Sequence, residues 1–251
     1  MSGRVCVVGL GPGDARHLTP AAADALGEAR HLVGYGPYLA RVAARKDQVV
    51  HPSDNREELH RARHALALAA QGETVALVSS GDAGVFAMAA TLFEALEDAG
   101  GADVEIEVIP GVTAMTAAAA RIGAPLGHDF CALSLSDNLK PWETVLARLR
   151  AAAEADFVIA LYNPASRARP WQLGEALELL RGVRAGDTPV VFATAVSRPE
   201  EEIVVVKLAE ARAEMADMRT LVIVGSSATR SLPRAGGGAW VYTPRKAAVP
   251  A

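Results

Sequence analysis

Apolar runs rich in β-branched residues, each ending in a turn that carries glycine, recur through the first half of the chain and leave it few folds to choose from. Val5-Cys6-Val7-Val8 runs into Gly9-Leu10-Gly11-Pro12-Gly13-Asp14, and Thr74-Val75-Ala76-Leu77-Val78 runs into Ser79-Ser80-Gly81-Asp82-Ala83-Gly84. Strands this continuous in apolar residues are buried on both faces, the condition of a parallel sheet covered by helices on either side. The segments between them carry the helical period. Thr19-Pro20-Ala21 has the form of an N-cap with proline at the first helical position, helical spacing returns over 56–71, and a further helix is expected over 85–99. Val104-Glu105-Ile106-Glu107-Val108 alternates as a strand and leads to Pro110-Gly111.

After that turn an alanine-rich helix, 113–120, is read as the crossing between two domains, 1–112 and 113–251. Strands are expected at 130–135, 157–161, 190–193, 203–206 and 221–224, with helices only after the first, second and fourth. Neighbours joined by turns too short for a parallel crossover require a mixed sheet in this half. Gly236-Gly237-Gly238 and the tail from Pro244 read as loop and frayed terminus.

With 251 residues, 51% hydrophobic and 22% charged, the chain can bury a large core. A net charge of -4 provides no bulk positive field for nucleic acid or an anionic membrane, and neither partner is expected. Cys6 and Cys131 lie inside strand-like runs, without the number or spacing of a disulfide framework or a zinc site, so no metal is expected. The first residues show no charged segment followed by an apolar one, and no apolar run is long enough to span a bilayer. A reducing cytoplasm is the expected location.

The first glycine turn stands where a dinucleotide fold places its fingerprint, but its third glycine falls one residue early and Asp14 takes that place. No acidic residue ends the next strand-like segment, His31-Leu32-Val33-Gly34, to hold a ribose. Asp14 and Asp82 would each repel a phosphate. A carboxylate in such a turn suits a hydroxyl or an ammonium, and S-adenosylmethionine offers both without a phosphate. The competing reading of Asp82 is a helix N-cap.

Four segments in order, Gly9 to Asp14, Ser80-Gly81-Asp82-Ala83-Gly84, Pro110-Gly111-Val112-Thr113-Ala114 and Leu161-Tyr162-Asn163-Pro164, resemble the tetrapyrrole methylase superfamily. Gly34-Tyr35-Gly36-Pro37-Tyr38, the segment from Leu133 to Trp142, and Tyr162 to Arg167 resemble, within it, the group that methylates carbon 17 of precorrin-3B in cobalamin biosynthesis. The resemblance covers essentially the whole chain. It implies an α/β, two-domain tetrapyrrole methylase (class III methyltransferase) fold with a mostly parallel N-terminal sheet and a mixed C-terminal sheet. It also implies S-adenosylmethionine in a cleft between the domains, S-adenosylhomocysteine as product, and a homodimer. Carried over by position, the cofactor residues are Leu10, Pro12, Gly81, Asp82, Val85, Thr113, Ala114, Leu161 and Tyr162, with Ala195, Val196 and Ser226 closing the site on a poorer local match. Taken singly, Leu10, Val85 and Leu161 read equally as core, and Thr113 as a helix cap. The third motif reads Thr-Ala-Met and departs from the family at its last position.

Methyl transfer from a sulfonium asks the protein chiefly to align the reactants and exclude water, so no catalytic triad is required and none is visible. The implied ring contraction makes His128 and Asp129 candidates for proton movement, against the reading of a solvated turn. The carboxylates of a precorrin call for cations, and Arg56, Lys140, Arg167 and Arg169 lie in the family-like segments. Arg56 has a second explanation in the capping arrangement of 53–57, and the loop arginines in ordinary solvation. Rival functions are the same reaction on a cobalt-containing intermediate, a non-catalytic tetrapyrrole or nucleotide carrier, and a macromolecule methylase.

Overall fold

The opening strand becomes the fourth of five in a wholly parallel sheet. In the computed structural model, which describes residues 3–101, 103–166 and 169–246, β1 (Arg4–Gly9), β2 (His31–Tyr35), β3 (Val49–Ser53), β4 (Thr74–Ser79) and β5 (Glu105–Ile109) lie in the order β3-β2-β4-β1-β5. Every pairing is parallel, with Val5 beside Val75 and Ile106. Side chains alternate between faces along a strand, and both faces are covered. Val5, Val7, Val33, Val75 and Leu77 pack against α3 (Glu58–Ala69) and α4 (Met88–Asp98). Cys6, Val8, Leu32, Ala76 and Val78 pack against α1 (Pro20–Glu28) and α2 (Gly36–Leu39).

The start of α1 follows the sequence reading: Thr19 is the N-cap, its hydroxyl accepting the Ala22 N–H at 3.1 Å, with Pro20 in the first turn. Two other starts do not. The helix expected from Val85 begins at Met88, because Asp82 accepts the Gly84 N–H at 2.8 Å and Ala83 is fully buried, which holds 82–87 in a turn. The helix expected from Arg56 begins at Glu58, since Arg56 has φ 69°. Its N-cap, Glu57, makes no side-chain cap bond. The Glu57 carboxylate instead accepts the Asp54 N–H at 2.8 Å, so only that return bond of the expected capping arrangement forms. The short edge strand β3 carries Pro52, a residue tolerated at an edge because the missing N–H is not needed by a second neighbour.

The chain divides into two compact units, Met1–Thr113 and Ala114–Ala251. The second opens with α5 (Ala114–Ile122) and β6 (Gly123–Ala124), followed by β7 (Phe130–Ser134), α6 (Trp142–Glu154), β8 (Val158–Tyr162), α7 (Gln172–Arg181), β9 (Pro189–Thr194), β10 (Glu202–Lys207), β11 (Thr220–Val224), β12 (Arg230–Pro233) and β13 (Ala239–Tyr242). Its main sheet, β10-β9-β11-β8-β7, is mixed: β7 and β8 are parallel and the remaining pairs antiparallel. Leu149, Leu173, Leu177 and Leu180 of α6 and α7 meet Ile159, Leu161, Phe192 and Val222 in its core. The strand at 203–206 is followed by a single 3-10 turn, Ala213–Met215, and not by the expected helix. The glycine stretch is also more than loop: three positive φ values turn the chain between β12 and β13, which pair with each other, and β13 pairs in turn with β6 in a small third sheet. The tail expected to fray from Pro244 is described only as far as Lys246, and the rest lies outside the described residues. Among the described residues no helix is long and apolar enough to cross a membrane.

Candidate functional site

In the first unit β1 is followed by α1 on one face of the sheet and β4 by α4 on the other. Their connections diverge between two adjacent strands, the switch point at which open α/β sheets bind ligands beyond the strand C-termini. The turns after β1, β4 and β5 meet there. Gly11 and Gly81 exchange both backbone hydrogen bonds, at 3.0 and 2.9 Å, and the Leu10 N–H donates to the Ser79 carbonyl at 2.9 Å. Gly81 holds φ 68°, a conformation that favours glycine. A Cβ on Gly111 would overlap the Gly81 carbonyl oxygen, so glycine here is a condition of the third turn closing on the second.

Asp82 links the same turns. One oxygen accepts the Gly84 N–H at 2.8 Å and the other the Gly111 N–H at 3.0 Å. It caps no helix, because α4 starts six residues later. Each carboxylate oxygen accepts more than one hydrogen bond, so acceptor capacity remains for a hydroxyl or an ammonium. Asp14 is placed differently: it caps the 3-10 turn Ala15–His17 and pairs with Arg16 at 2.7 Å, and those hydrogen bonds hold its carboxyl down at about 2. The two acidic turns are therefore not equivalent.

Arg41 holds the first glycine turn in a way that the sequence did not signal. Its guanidinium donates to the carbonyls of Leu10 at 3.3 Å, Gly11 at 2.9 Å and Gly13 at 3.4 Å, and to the Ser80 hydroxyl at 3.1 Å. It fixes the peptide planes of the first glycine turn from beneath, through partners 28 to 39 residues away. Leu10 is buried in the core beside β1, so it contributes to the turn through its backbone. Pro12 is buried in the first turn, and Val85 and Thr113 stand partly exposed in the other two. Arg56, exposed, follows the C-terminal end of β3 at the sheet edge.

In the second unit, sheet register decides which expected residues come together. β8 and β9 run the same way with β11 reversed between them, Leu161 opposite Val222 and Thr194 opposite Thr220. The C-termini of β8 and β9 therefore share one end, which gathers Leu161 and Tyr162 with Ala195 and Val196. Ala114 joins them, since the Tyr162 hydroxyl accepts the Met115 N–H in the first turn of α5 at 3.2 Å. Leu161, Ala195 and Val196 are buried, and Ala195 holds φ 49°.

Ser226 follows the C-terminus of β11, whose Val224 pairs with Ile159 and Val190, at the opposite end of the sheet. Buried there beside Thr229, it is not brought to Tyr162 and Ala195. His128 and Asp129 precede β7 and fall at that same far end, where Asp129 accepts the Val158 N–H at 3.1 Å and the pair lie 3.7 Å apart in a largely solvated turn.

Lys140 and Arg169 follow β7 and β8 at the Tyr162 end. Burial, with repulsion from Arg148, pushes the Lys140 ammonium below its ordinary range. Arg169 is committed internally: it pairs with Asp137 and donates to the Ser136 hydroxyl at 3.2 Å, bracing the two loops together and holding the Asp137 carboxyl down. Arg167 lies outside the described residues. No group of three or more His, Cys, Asp or Glu suited to a metal ion occurs among the described residues.

A parallel unit with three glycine-bearing turns joined at its switch point, followed by a mixed-sheet unit, is the architecture of a class III methyltransferase. The tetrapyrrole (corrin/porphyrin) methylases match residues 4–212. A precorrin-3B C(17)-methyltransferase from Sinorhizobium sp is 59% identical over 248 residues, 98% of this chain and 97% of that protein. The crystal structure of the methyltransferase CobJ has a TM-score of 0.92 at 56% identity, covering 97% of this chain and 100% of that one. A uroporphyrin-III C-methyl transferase from Thermus thermophilus, complexed with S-adenyl homocysteine, has a TM-score of 0.65 at 27% identity, covering 89% and 97%. The chain belongs to the tetrapyrrole methylase family, and it is a methyltransferase.

Proposed function

We propose that this chain transfers the methyl group of S-adenosylmethionine to carbon 17 of precorrin-3B, with ring contraction to precorrin-4, in cobalamin biosynthesis. The observation that carries this reading is 59% identity, across nearly the whole length of both chains, to a protein of that name. The donor set of the first unit fits the cofactor. Asp82 offers acceptors for hydroxyls or an ammonium, and the Arg41 guanidinium is turned to backbone carbonyls and Ser80. When bound, S-adenosylmethionine supplies an electrophilic methyl group on a sulfonium.

The residues assigned to hold it are Leu10, Pro12, Gly81, Asp82, Val85 and Thr113 in the first unit and Ala114, Leu161, Tyr162, Ala195 and Val196 in the second. Leu10, Leu161, Ala195 and Val196 are buried, so they act by shaping backbone and excluding water. Asp82 orients polar groups. Arg56 and Lys140 are assigned to the substrate carboxylates, and Arg169 to bracing the loop that carries Asp137. The protein is further proposed to work as a homodimer in the cytoplasm; a net charge of -4 supports the absence of nucleic acid from its partners.

The test is anaerobic incubation with S-adenosylmethionine and either precorrin-3B or its cobalt-containing counterpart, followed by mass spectrometry and absorption spectra. Gain of one methyl on the metal-free substrate, with the spectral change of ring contraction, is expected. Methylation of the cobalt form alone would assign the oxygen-independent reaction. Binding without methylation of either would make the chain a carrier.

A further inference from the structure

The β4 turn contains an aromatic residue in a backbone conformation that its side chain disfavours. Among the described non-glycine residues with positive φ are Asp156 and Asn163, types that tolerate the left-handed region, and Phe86, at φ 52°, a type that does not. The Phe86 side chain is also 51% exposed. Glycine at this position would relieve both the backbone strain and the exposure of apolar surface.

The conformation is imposed from both sides. Upstream, Asp82 is held by the Gly84 and Gly111 N–H groups, and Ala83 is fully buried with its carbonyl accepting the Ala89 N–H at 3.0 Å. Downstream, Ala87 is extended and Met88 is buried with its sulfur 3.4 Å from the Arg61 guanidinium. Strain of this kind persists where the surroundings over-determine it, and it clusters at ligand sites. Phe86 adjoins Val85 and stands four residues beyond Asp82, at the C-terminal end of β4 where the sheet presents its ligand turns.

Resting on the function proposed above, we propose that Phe86 is a substrate-binding residue whose ring forms an apolar platform for the face of the tetrapyrrole macrocycle. The chemistry separates the two ligands of the reaction. Asp82 and the glycine-turn peptides match the polar groups of the cofactor, and Arg56 addresses carboxylates at the substrate's rim. The conjugated faces of the macrocycle need an apolar partner, which an aromatic ring supplies.

The test compares wild type with F86G and F86W in three measurements: thermal unfolding, calorimetry with S-adenosylhomocysteine, and steady-state methylation of precorrin-3B beside fluorescence titration of its binding. F86G is expected to unfold cooperatively and to bind S-adenosylhomocysteine within twofold of wild type. Its KM for the tetrapyrrole is expected to rise about tenfold, with kcat changing less, and F86W is expected to restore KM. An unchanged KM in F86G overturns the proposal, as does a tenfold loss of S-adenosylhomocysteine affinity at constant KM, which would assign the ring to the cofactor. A lower melting temperature with ligand affinities unchanged would make the ring a packing element and overturn it too. Wild type that neither binds nor methylates precorrin-3B would overturn the functional reading and this inference together, whereas active wild type with an equally active F86G overturns the inference alone.

Discussion

Asp82 has two tasks that a substitution separates. Its carboxylate joins the second glycine turn to the third through Gly84 and Gly111, and the proposed function adds a polar group of the cofactor. D82N keeps the shape but replaces one acceptor by a donor, which leaves a backbone N–H facing an N–H. The expected cost is about 1–3 kcal/mol of stability, read in urea melts, with S-adenosylhomocysteine affinity reduced about tenfold in calorimetry. Lower stability with full affinity would reduce Asp82 to a brace between turns. At this scale the glycine and aspartate motifs were legible because they are local. Arg41 was not, since its partners at Leu10, Gly11, Gly13 and Ser80 are distant in sequence and nothing beside Arg41 announces them. The same limit applies to Ser226 and His128, which stand close to strand ends in sequence but at the far end of the sheet once strand direction is known.

Three histidines on β2, β3 and α3 form a hydrogen-bonded chain with His51 at its centre. His64 Nε2 lies 3.1 Å from His51 Nδ1, His51 Nε2 lies 2.9 Å from His31 Nδ1, and His31 Nε2 lies 3.3 Å from Glu73. One proton per contact satisfies the hydrogen bonds of the chain. Burial lowers the His51 pKa, and repulsion from His64 and His31 lowers it further. A base with a depressed folded pKa contributes stability that is fully present above its unfolded value of about 6.5 and is lost as pH falls through the folded value. Unfolding free energy is therefore expected to decline as pH falls below about 6.5, and H51Q to flatten that slope in urea melts run through that range. An unchanged slope would remove His51 as its source. The carboxyl of Asp14, held at about 2, titrates well below this range. At the scale of elements, helices with a clear apolar period were legible. The late start of α4 was not, because tertiary bonds to Asp82 and burial of Ala83 outweigh a pattern that reads as helix from Val85.

For the whole molecule, the two units each bury a separate core, one lined by Val5, Val7 and Leu77 and the other by Leu149, Leu161 and Phe192. A ligand that binds only the folded chain stabilises it by mass action, about 2.7 kcal/mol at a hundredfold excess over Kd. S-adenosylhomocysteine at that excess is expected to raise Tm by about 5–10 °C, and a Tm indifferent to it would remove the cofactor assignment. What the sequence by itself determined was the family, the parallel character of the first sheet, the mixed character of the second and the turns that carry the ligand chemistry. These rest on local spacing: apolar runs buried on both faces, glycines where a turn must form, and motif order along the chain. The tertiary structure alone decided which candidates share an end of a sheet, which acid caps a turn, which arginine is braced by a carboxylate, and that Phe86 is held left-handed and exposed. Each of those depends on strand direction or on contacts between residues far apart in sequence, and spacing along a chain does not encode the direction in which a distant strand will run.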